Sequence, residues 1–218
     1  PRAMFEDRSA AGRQLADALR ARGLVAPVVL ALPRGGVPVA VEIAEALGAP
    51  MDVLMVRKLG APGRPELAMG AVAKTGESVE TVLNDDVVQL LGIRRDAIAR
   101  TKDEELRVIQ EREQRYNAGR TRPVIQGRTA IVVDDGVATG ATMRAALRAA
   151  RRADPERVVL AIPVAPPEAV HQLSAEADEV VCLAQPRDLG AIGMYYRDFR
   201  QVDDSEVVDA LARYSASG

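Results

Sequence analysis

Two adjacent acids followed by a glycine- and threonine-rich turn form the segment of this 218-residue chain that could most readily do chemistry. Residues 131–142 read IVVDDGVATGAT, so Asp134 and Asp135 directly follow a run of β-branched residues. If that run is a buried strand, both carboxylates emerge at its C-terminal end, where open α/β sheets bind ligands. The turn leads into Met143–Arg152, whose alanine, leucine and arginine content favours a helix. Unpaired N–H groups at the start of such a helix suit a phosphate monoester, and the whole pattern indicates a site for a phosphorylated sugar.

A second glycine turn lies about a hundred residues earlier in the chain. The apolar run Val28–Leu32 predicts a strand, PRGGVP follows at 33–38, and Val39–Leu47 has the composition of a helix. Gly35 and Gly36 would allow the close backbone approach that a bulky anion needs, and Arg34 could contact phosphoryl oxygens through two N–H groups. Taken alone, the triplet is equally compatible with a surface turn.

A third segment carries two cations to the end of a predicted strand. Residues 52–58 read DVLMVRK, so Arg57 and Lys58 could face an anion or could simply be solvated, and both interpretations stay open. The following residues, LGAPGRPE at 59–66, contain too much glycine and proline for a helix or a central strand. We therefore predict a mobile loop over 59–68, in which Glu66 is more simply a solvated residue than a ligand.

These segments resemble the phosphoribosyl pyrophosphate (PRPP) motif of the type I phosphoribosyltransferases. The resemblance implies that Asp134 and Asp135 accept hydrogen bonds from the ribose hydroxyls. It implies a 5-phosphate loop made of Ala138, Thr139, Gly140, Ala141 and Thr142. It implies pyrophosphate contacts from Arg34, Gly35, Gly36, Arg57 and Lys58. Members of the family commonly hold a cis peptide in the pyrophosphate loop, so we predict one at Pro33–Arg34 or Arg34–Gly35.

The resemblance also implies a reaction in which the phosphoribosyl group of PRPP passes to an unidentified nitrogenous base. Mg²⁺ would be the cofactor, held by Asp134 and Asp135 indirectly and largely through PRPP. Two alternatives remain open: a regulator of the same fold that senses PRPP or a nucleotide, and a site adapted to another phosphosugar. Ala138 replaces an acid of the 6-oxopurine branch, whereas the Arg-Gly-Gly loop is closer to that branch, so the acceptor is not assigned.

Aromatic residues concentrate near the end of a chain that is only 3% aromatic. Family members form a hood from terminal segments over the acceptor, and Tyr195, Tyr196 or Phe199 could stack there on a flat base. Packing of the same rings onto the sheet is an equally good interpretation. Phe5 is expected to pack against this cap.

The elements that must position these residues alternate along the chain. We predict strands near 28–32, 52–57, 70–73, 80–83, 129–133, 157–162 and 179–183, and helices near 10–22, 37–47, 86–91, 94–117, 139–152 and 166–175. This alternation predicts an α/β fold: a doubly wound, mainly parallel sheet with helices on both faces, an inserted flexible hairpin around Thr75-Gly76, and a C-terminal hood.

Length and composition predict one domain over residues 1–218, with a core at about 24–185 and a hood from about 1–10 and 186–218. The formal charge of −2 gives no electrostatic case for nucleic acid. We expect no membrane span, a cytoplasmic location and a possible homodimer. The single Cys182 is expected to be a core thiol and the single His171 a helix-surface residue rather than a metal ligand.

Overall fold

A five-stranded, entirely parallel sheet forms the centre of the computed structural model, which describes residues 3–215. In spatial order its strands are β2 (Met51–Val53), β1 (Val28–Ala31), β6 (Thr129–Val133), β7 (Arg157–Val164) and β8 (Glu179–Ala184). Every residue of β1 and β6 is buried. Continuous apolar strands of this kind are typical of parallel sheets covered on both faces.

Helices cover both faces of this sheet. One face carries α1 (Arg8–Arg20), α2 (Gly36–Leu47), α4 (Arg95–Asn117) and α7 (Asp204–Tyr214), whose apolar residues share a core with Val29, Ile131 and Val159. The other face carries α5 (Ala141–Arg152) and α6 (Pro167–Leu173), which pack with Leu30, Val132 and Leu160. Successive strand residues therefore enter opposite cores, and the predicted α/β fold is confirmed.

A smaller antiparallel sheet lies beside the central one and consists of β3 (Met55–Ala61), β4 (Arg64–Thr75) and β5 (Ser78–Leu83). Its side chains also divide between the two cores: Leu59 and Met69 join the core that contains α4, whereas Ala71 and Val82 join the one that contains α5. The predicted hairpin around Thr75-Gly76 is confirmed as the β4–β5 connection. After β5 comes the short helix α3 (Asp85–Leu90).

Two predictions in this region are wrong. The segment 59–68 is not an irregular loop, because β3 and β4 pair along it as far as Ala61 and Arg64 and leave only Pro62 and Gly63 to turn. The strand predicted over 52–57 is also two strands, since β2 ends at Val53 and β3 starts at Met55 in the other sheet.

The end of the chain contains structure that the sequence pattern did not predict. A 3-10 turn spans Ile192–Tyr195, and α7 follows it within the segment assigned only to a hood. Val207 and Leu211 of α7 are buried against the sheet, so part of this segment belongs to the core. Within residues 3–215, none of the helices has the length and apolar character needed to span a bilayer.

A buried charge network joins the two sheets to α4. Glu113 of α4 accepts hydrogen bonds from Lys74 of β4 at 2.5 Å and from Arg122 at 2.8 Å. Arg122 also donates to Asp52 of β2 at 2.8 Å. Glu113 is 4% exposed and Asp52 only 2%, so α4 contributes a buried carboxylate although most of its charged residues are exposed.

Candidate functional site

The acid pair lies at the C-terminal end of β6, the middle strand of the central sheet. Asp134 Oδ1 accepts a hydrogen bond from the Asp135 N–H at 2.8 Å, which fixes the orientation of the first carboxylate. Loss of hydration, followed by the charge of Asp135, raises the pKa of Asp134 well above its usual value. Two neighbouring carboxylates held in this way favour a ligand that donates hydrogen bonds or carries positive charge.

The glycine turn after β1 packs directly against the acid pair. A Cβ atom on Gly35 would overlap the Asp135 carboxylate, and one on Gly36 would lie 2.7 Å from the Val133 carbonyl oxygen and 3.1 Å from Asp134 Cα. Only glycine fits at either position. The peptide between Pro33 and Arg34 is cis, which confirms that prediction. The sequence-predicted turn and acids are therefore brought together.

Arg34 extends from this turn toward the solvent. Its side chain is 42% exposed, and its Nη1 lies 3.7 Å from Asp204 Oδ1 at the start of α7. The guanidinium thus forms a loose ion pair with Asp204, from which an anionic ligand could draw it.

The loop at 136–142 is anchored at its start and open along its length. Gly136 has a φ of +157°, and a Cβ there would lie 2.8 Å from Ile192 Cγ2 and 3.0 Å from Val164 Cγ1. The Val137 N–H donates to the Val164 carbonyl at 3.0 Å. The residues exposed after this anchor are Ala138, Thr139, Ala141 and Thr142. No side chain among the described residues caps the start of α5, so its first N–H groups are available to an anion.

A cavity of about 600 Å³ adjoins the open side of this loop. Its walls include Thr139 and Thr142 from the loop, Arg144 from α5 and Lys58 from β3, with small residues of β4 as a floor. Two cations and two hydroxyl groups that suit a phosphate therefore border the space next to the helix start, and the acids Asp85 and Asp86 of α3 line the same cavity.

Lys58 and Arg57 point in different directions from β3. The Lys58 ammonium borders the cavity and donates to the Glu66 carbonyl at 3.4 Å. Arg57 instead donates to Glu105 of α4 at 2.6 Å, on the opposite face of the small sheet. Arg57 is not among the residues that line the cavity beside the loop, so its contact with pyrophosphate stays a prediction.

Aromatic rings of the cap pack against one another and bury Tyr196 between them. The Tyr196 ring is 4% exposed and stands between Phe5, at a centroid distance of 5.5 Å, and Phe199, at 5.0 Å. The other face of Phe199 carries the Arg8 guanidinium, 3.8 Å from the ring centroid. Packing of Phe5 against the cap is confirmed. Tyr196 is buried, whereas Phe199 keeps 37% of its surface exposed and Tyr195 is half-buried, so two of the three rings proposed to stack on an acceptor keep free surface.

Asp135 is held from both ends of the chain. Arg8 Nε donates to its Oδ2 at 3.0 Å, and the Tyr196 hydroxyl donates to its main-chain carbonyl at 2.6 Å. Sequence reasoning missed Arg8, because a lone arginine at the start of a helix carries no motif and lies 127 residues from its partner.

The acid pair offers the oxygen donors that Mg²⁺ prefers. Within residues 3–215, the second oxygen of each carboxylate has no hydrogen-bond partner, and no group of three or more His, Cys, Asp or Glu side chains is arranged as a metal cage. The pair therefore fits an ion that takes most of its ligands from a bound substrate and water. Cys182 is half-buried and donates to the Ala184 carbonyl at 3.2 Å, and His171 is exposed on α6.

Comparison with known proteins identifies the family to which this site belongs. The sequence profile of the phosphoribosyl transferase domain matches residues 8–198. Two proteins of Mycobacterium tuberculosis, from strains CDC 1551 and H37Rv and both named "Putative phosphoribosyl transferase", are 50% identical over 210 residues, or 96% of this chain. The chain spans 47% of the length of these relatives.

One solved structure is similar to this chain over almost the full length of both. The protein TT1426 from Thermus thermophilus superposes with a TM-score of 0.83 at 47% identity and covers 97% of this chain and 99% of its own. The acid pair, the glycine turn that touches it and the open loop before α5 thus belong to a matched domain that includes all three, and this chain is a member of the phosphoribosyl transferase domain family.

Proposed function

We propose that this chain catalyses the Mg²⁺-dependent transfer of the 5-phosphoribosyl group from PRPP to a nitrogenous base, with release of pyrophosphate. The observation that carries the proposal is the direct packing of Gly35 and Gly36 against Asp134 and Asp135. This contact brings a turn suited to an anion next to the carboxylates suited to a ribose diol. A substrate with pyrophosphate at C1 and hydroxyls at C2 and C3 presents those two groups side by side.

Each part of PRPP has a proposed binding element. The free oxygens of Asp134 and Asp135 accept hydrogen bonds from the two ribose hydroxyls. The Arg34 side chain and the backbone N–H of Gly35 bind the pyrophosphate, and Gly36, whose own N–H donates to the Leu32 carbonyl at 3.0 Å, allows the close approach. The proposed 5-phosphate loop consists of Ala138, Thr139, Gly140, Ala141 and Thr142, with Lys58 across the cavity from it.

The proposed chemistry is loss of pyrophosphate from C1 and attack by a nitrogen of the base. Mg²⁺, when bound, neutralises the leaving group. Positive charge develops on the ribose as the bond to pyrophosphate breaks, and the two carboxylates stabilise that charge because they bind the hydroxyls of the same ring. Tyr195 is the proposed contact for the acceptor, since its ring is partly exposed and does not belong to the stack of Phe5, Tyr196 and Phe199.

The direct test is incubation of the protein with PRPP, Mg²⁺ and each of a panel of purine and pyrimidine bases, with release of pyrophosphate as the readout. We expect release with at least one base. Saturable PRPP binding without release for any base would instead indicate a sensor of the same fold, and absence of PRPP binding would contradict the proposal altogether.

Substitution of the two acids tests whether PRPP binds at this site. Asp134→Asn with Asp135→Asn should weaken PRPP binding by about a hundredfold or more, because two hydrogen bonds to charged groups are affected and each contributes ~1.5–3 kcal/mol. Calorimetric titration measures the affinity, and circular dichroism checks that the variant is folded. The control is Asp96→Asn on the exposed surface of α4, which should leave PRPP affinity unchanged.

A further inference from the structure

Arg8 occupies an unusual place for a charged residue at the start of a helix. It is 9% exposed, although most of the other arginines of the molecule lie at the surface. Its Nε donates to Asp135 Oδ2 at 3.0 Å and its Nη1 donates to the Arg200 carbonyl at 2.6 Å. The guanidinium lies over the Phe199 ring, 3.8 Å from the centroid. Three separate contacts thus hold one side chain.

These contacts fix the direction in which Asp135 presents its carboxylate. One oxygen is bound to Arg8, and the main-chain carbonyl of the same residue is bound to the Tyr196 hydroxyl. The other oxygen, Oδ1, has no hydrogen-bond partner within residues 3–215. Asp134 has the same division over that range, since its Oδ1 is bound to the Asp135 N–H and its Oδ2 is free. Each acid therefore has one oxygen bound to protein and one left for a ligand.

Arg8 also offsets the repulsion between the two acids. Adjacent carboxylates that are withdrawn from water destabilise each other's charged form, and a buried guanidinium at hydrogen-bond distance reduces that cost. Arg34, the other cation near the turn, faces Asp204 instead. Arg8 is thus the cation that forms a direct ion pair with the acid pair, through Asp135.

We propose that Arg8 is a positioning residue for ribose recognition: it holds the Asp135 carboxylate in the orientation that accepts a ribose hydroxyl. The inference rests on the proposed function, because it assigns Asp135 to the sugar. The rings of Phe199 and Tyr196 support Arg8 as a stacked platform rather than contacting the acceptor base. The N-terminal helix and the C-terminal segment then form part of the ribose site.

The test compares two ligands that share a phosphate and differ in the sugar. Ribose 5-phosphate needs the acids and the phosphate loop, whereas inorganic phosphate needs only the loop. Arg8→Gln should weaken the binding of ribose 5-phosphate by about tenfold or more, because that is the effect of losing one hydrogen bond to a charged group. It should leave the affinity for inorganic phosphate unchanged. Arg8→Lys, which keeps the charge, should recover part of the loss. The matched control is Arg13→Gln, an arginine on the exposed side of the same helix.

A double-mutant cycle connects the effect to Asp135. In an Asp135→Asn background, Arg8→Gln should have little further effect on ribose 5-phosphate, because the partner through which it acts is gone. If Arg8→Gln and Arg8→Lys each weakened the binding of ribose 5-phosphate and of inorganic phosphate to the same extent, the role of Arg8 would be merely structural and the inference would be overturned. Tighter ribose 5-phosphate binding in either variant would overturn it as well, since Arg8 would then compete with the sugar.

The two proposals fail in different ways. If the unaltered protein binds neither PRPP nor ribose 5-phosphate, the proposed function is wrong and the role of Arg8 falls with it. If the unaltered protein binds both and Arg8→Gln binds them equally well, only the inference about Arg8 is wrong. If Arg8→Gln does not fold, the comparison is made with Arg8→Lys, because the ratio of its affinities for ribose 5-phosphate and inorganic phosphate is still measurable.

Discussion

At the scale of single residues, the site depends on how closely a backbone can approach a carboxylate. Gly35 and Gly36 lie against Asp135 and Asp134 with no room for a side chain. The absence of a Cβ lets the turn backbone and the acids border the same small volume, which is the condition for binding two neighbouring groups of one substrate. Interior positions as tightly packed as these resist even one added methyl group.

Gly35→Ala should therefore damage both stability and binding. The added methyl overlaps the Asp135 carboxylate, and overpacking of this kind lowers the free energy of unfolding by about 1–3 kcal/mol. Urea unfolding measures the loss, and calorimetry should show weaker PRPP binding. In an Asp135→Ala background the overlap disappears, so the same substitution should cost much less; an equal cost in both backgrounds would contradict the packing explanation.

Sequence reasoning at this scale found the residues that belong to short local patterns and missed those that do not. Asp134, Asp135 and the two glycines stand in contiguous segments whose order has a physical meaning. The position of Arg8 follows from the fold alone, since its contacts lie 127 and 192 residues away. Tyr196 and Phe199 were recognised as a cluster, but composition cannot tell a ring that stacks on a ligand from one that stacks on its neighbours.

At the scale of elements, the small antiparallel sheet shows where local composition misleads. Glycine and proline at 59–66 predicted a loop, yet β3 and β4 accommodate them at register shifts around Gly60 and in the Pro62-Gly63 turn. A Cβ on Gly60 would lie 2.7 Å from the Pro65 carbonyl, so this glycine permits a close crossing of the strands. Breaker residues near a hairpin end are compatible with strands when a bulge absorbs them.

Helix α4 contains a buried charge that its sequence does not mark out, since most of its other charged residues are exposed. Its Glu113 is the shared acceptor of Lys74 and Arg122, and thereby connects β4, α4 and the segment before β6. A buried carboxylate with two cationic partners cannot be recognised from a sequence in which most neighbouring charges are solvated. Its partners lie at positions that only the fold brings near.

We predict that Glu113→Gln destabilises the protein far more than substitutions of its surface neighbours do. Removal of one member of a buried ion cluster leaves the others uncompensated, which lowers the free energy of unfolding by about 3–5 kcal/mol. Urea unfolding at neutral pH measures the change. Glu111→Gln, on the exposed side of the same helix, is the matched control and should stay within about 0.5 kcal/mol of the unaltered protein.

At the scale of the whole molecule, the two sheets share their cores. Helix α5 packs against β4 and β5 of the small sheet and also contacts β6 and β7 of the central one. α4 is placed in the same way on the other side, between the small sheet and α7. Elements that bury the same apolar surface cannot separate without exposing it.

We therefore expect residues 1–218 to unfold as one domain. Differential scanning calorimetry should give a single transition whose calorimetric and van't Hoff enthalpies agree. Intrinsic fluorescence of the tyrosines near residue 195 should report the same midpoint. A separate, earlier transition in that signal would mean that the C-terminal segment melts independently, and would contradict the expectation.

The pairing of Arg8 with Phe199 and Arg200 has a consequence for the order in which the protein is made. Arg8 leaves the ribosome 192 residues before Arg200, an interval of roughly 10–40 seconds at ordinary rates of translation. For the later part of that time, both acids and both glycine turns can already exist on the nascent chain while the aromatic platform does not. The ribose pocket is thus complete only after residue 200 has been made, and a chain interrupted before residue 199 would carry the whole binding motif without the stack that holds Arg8 in place.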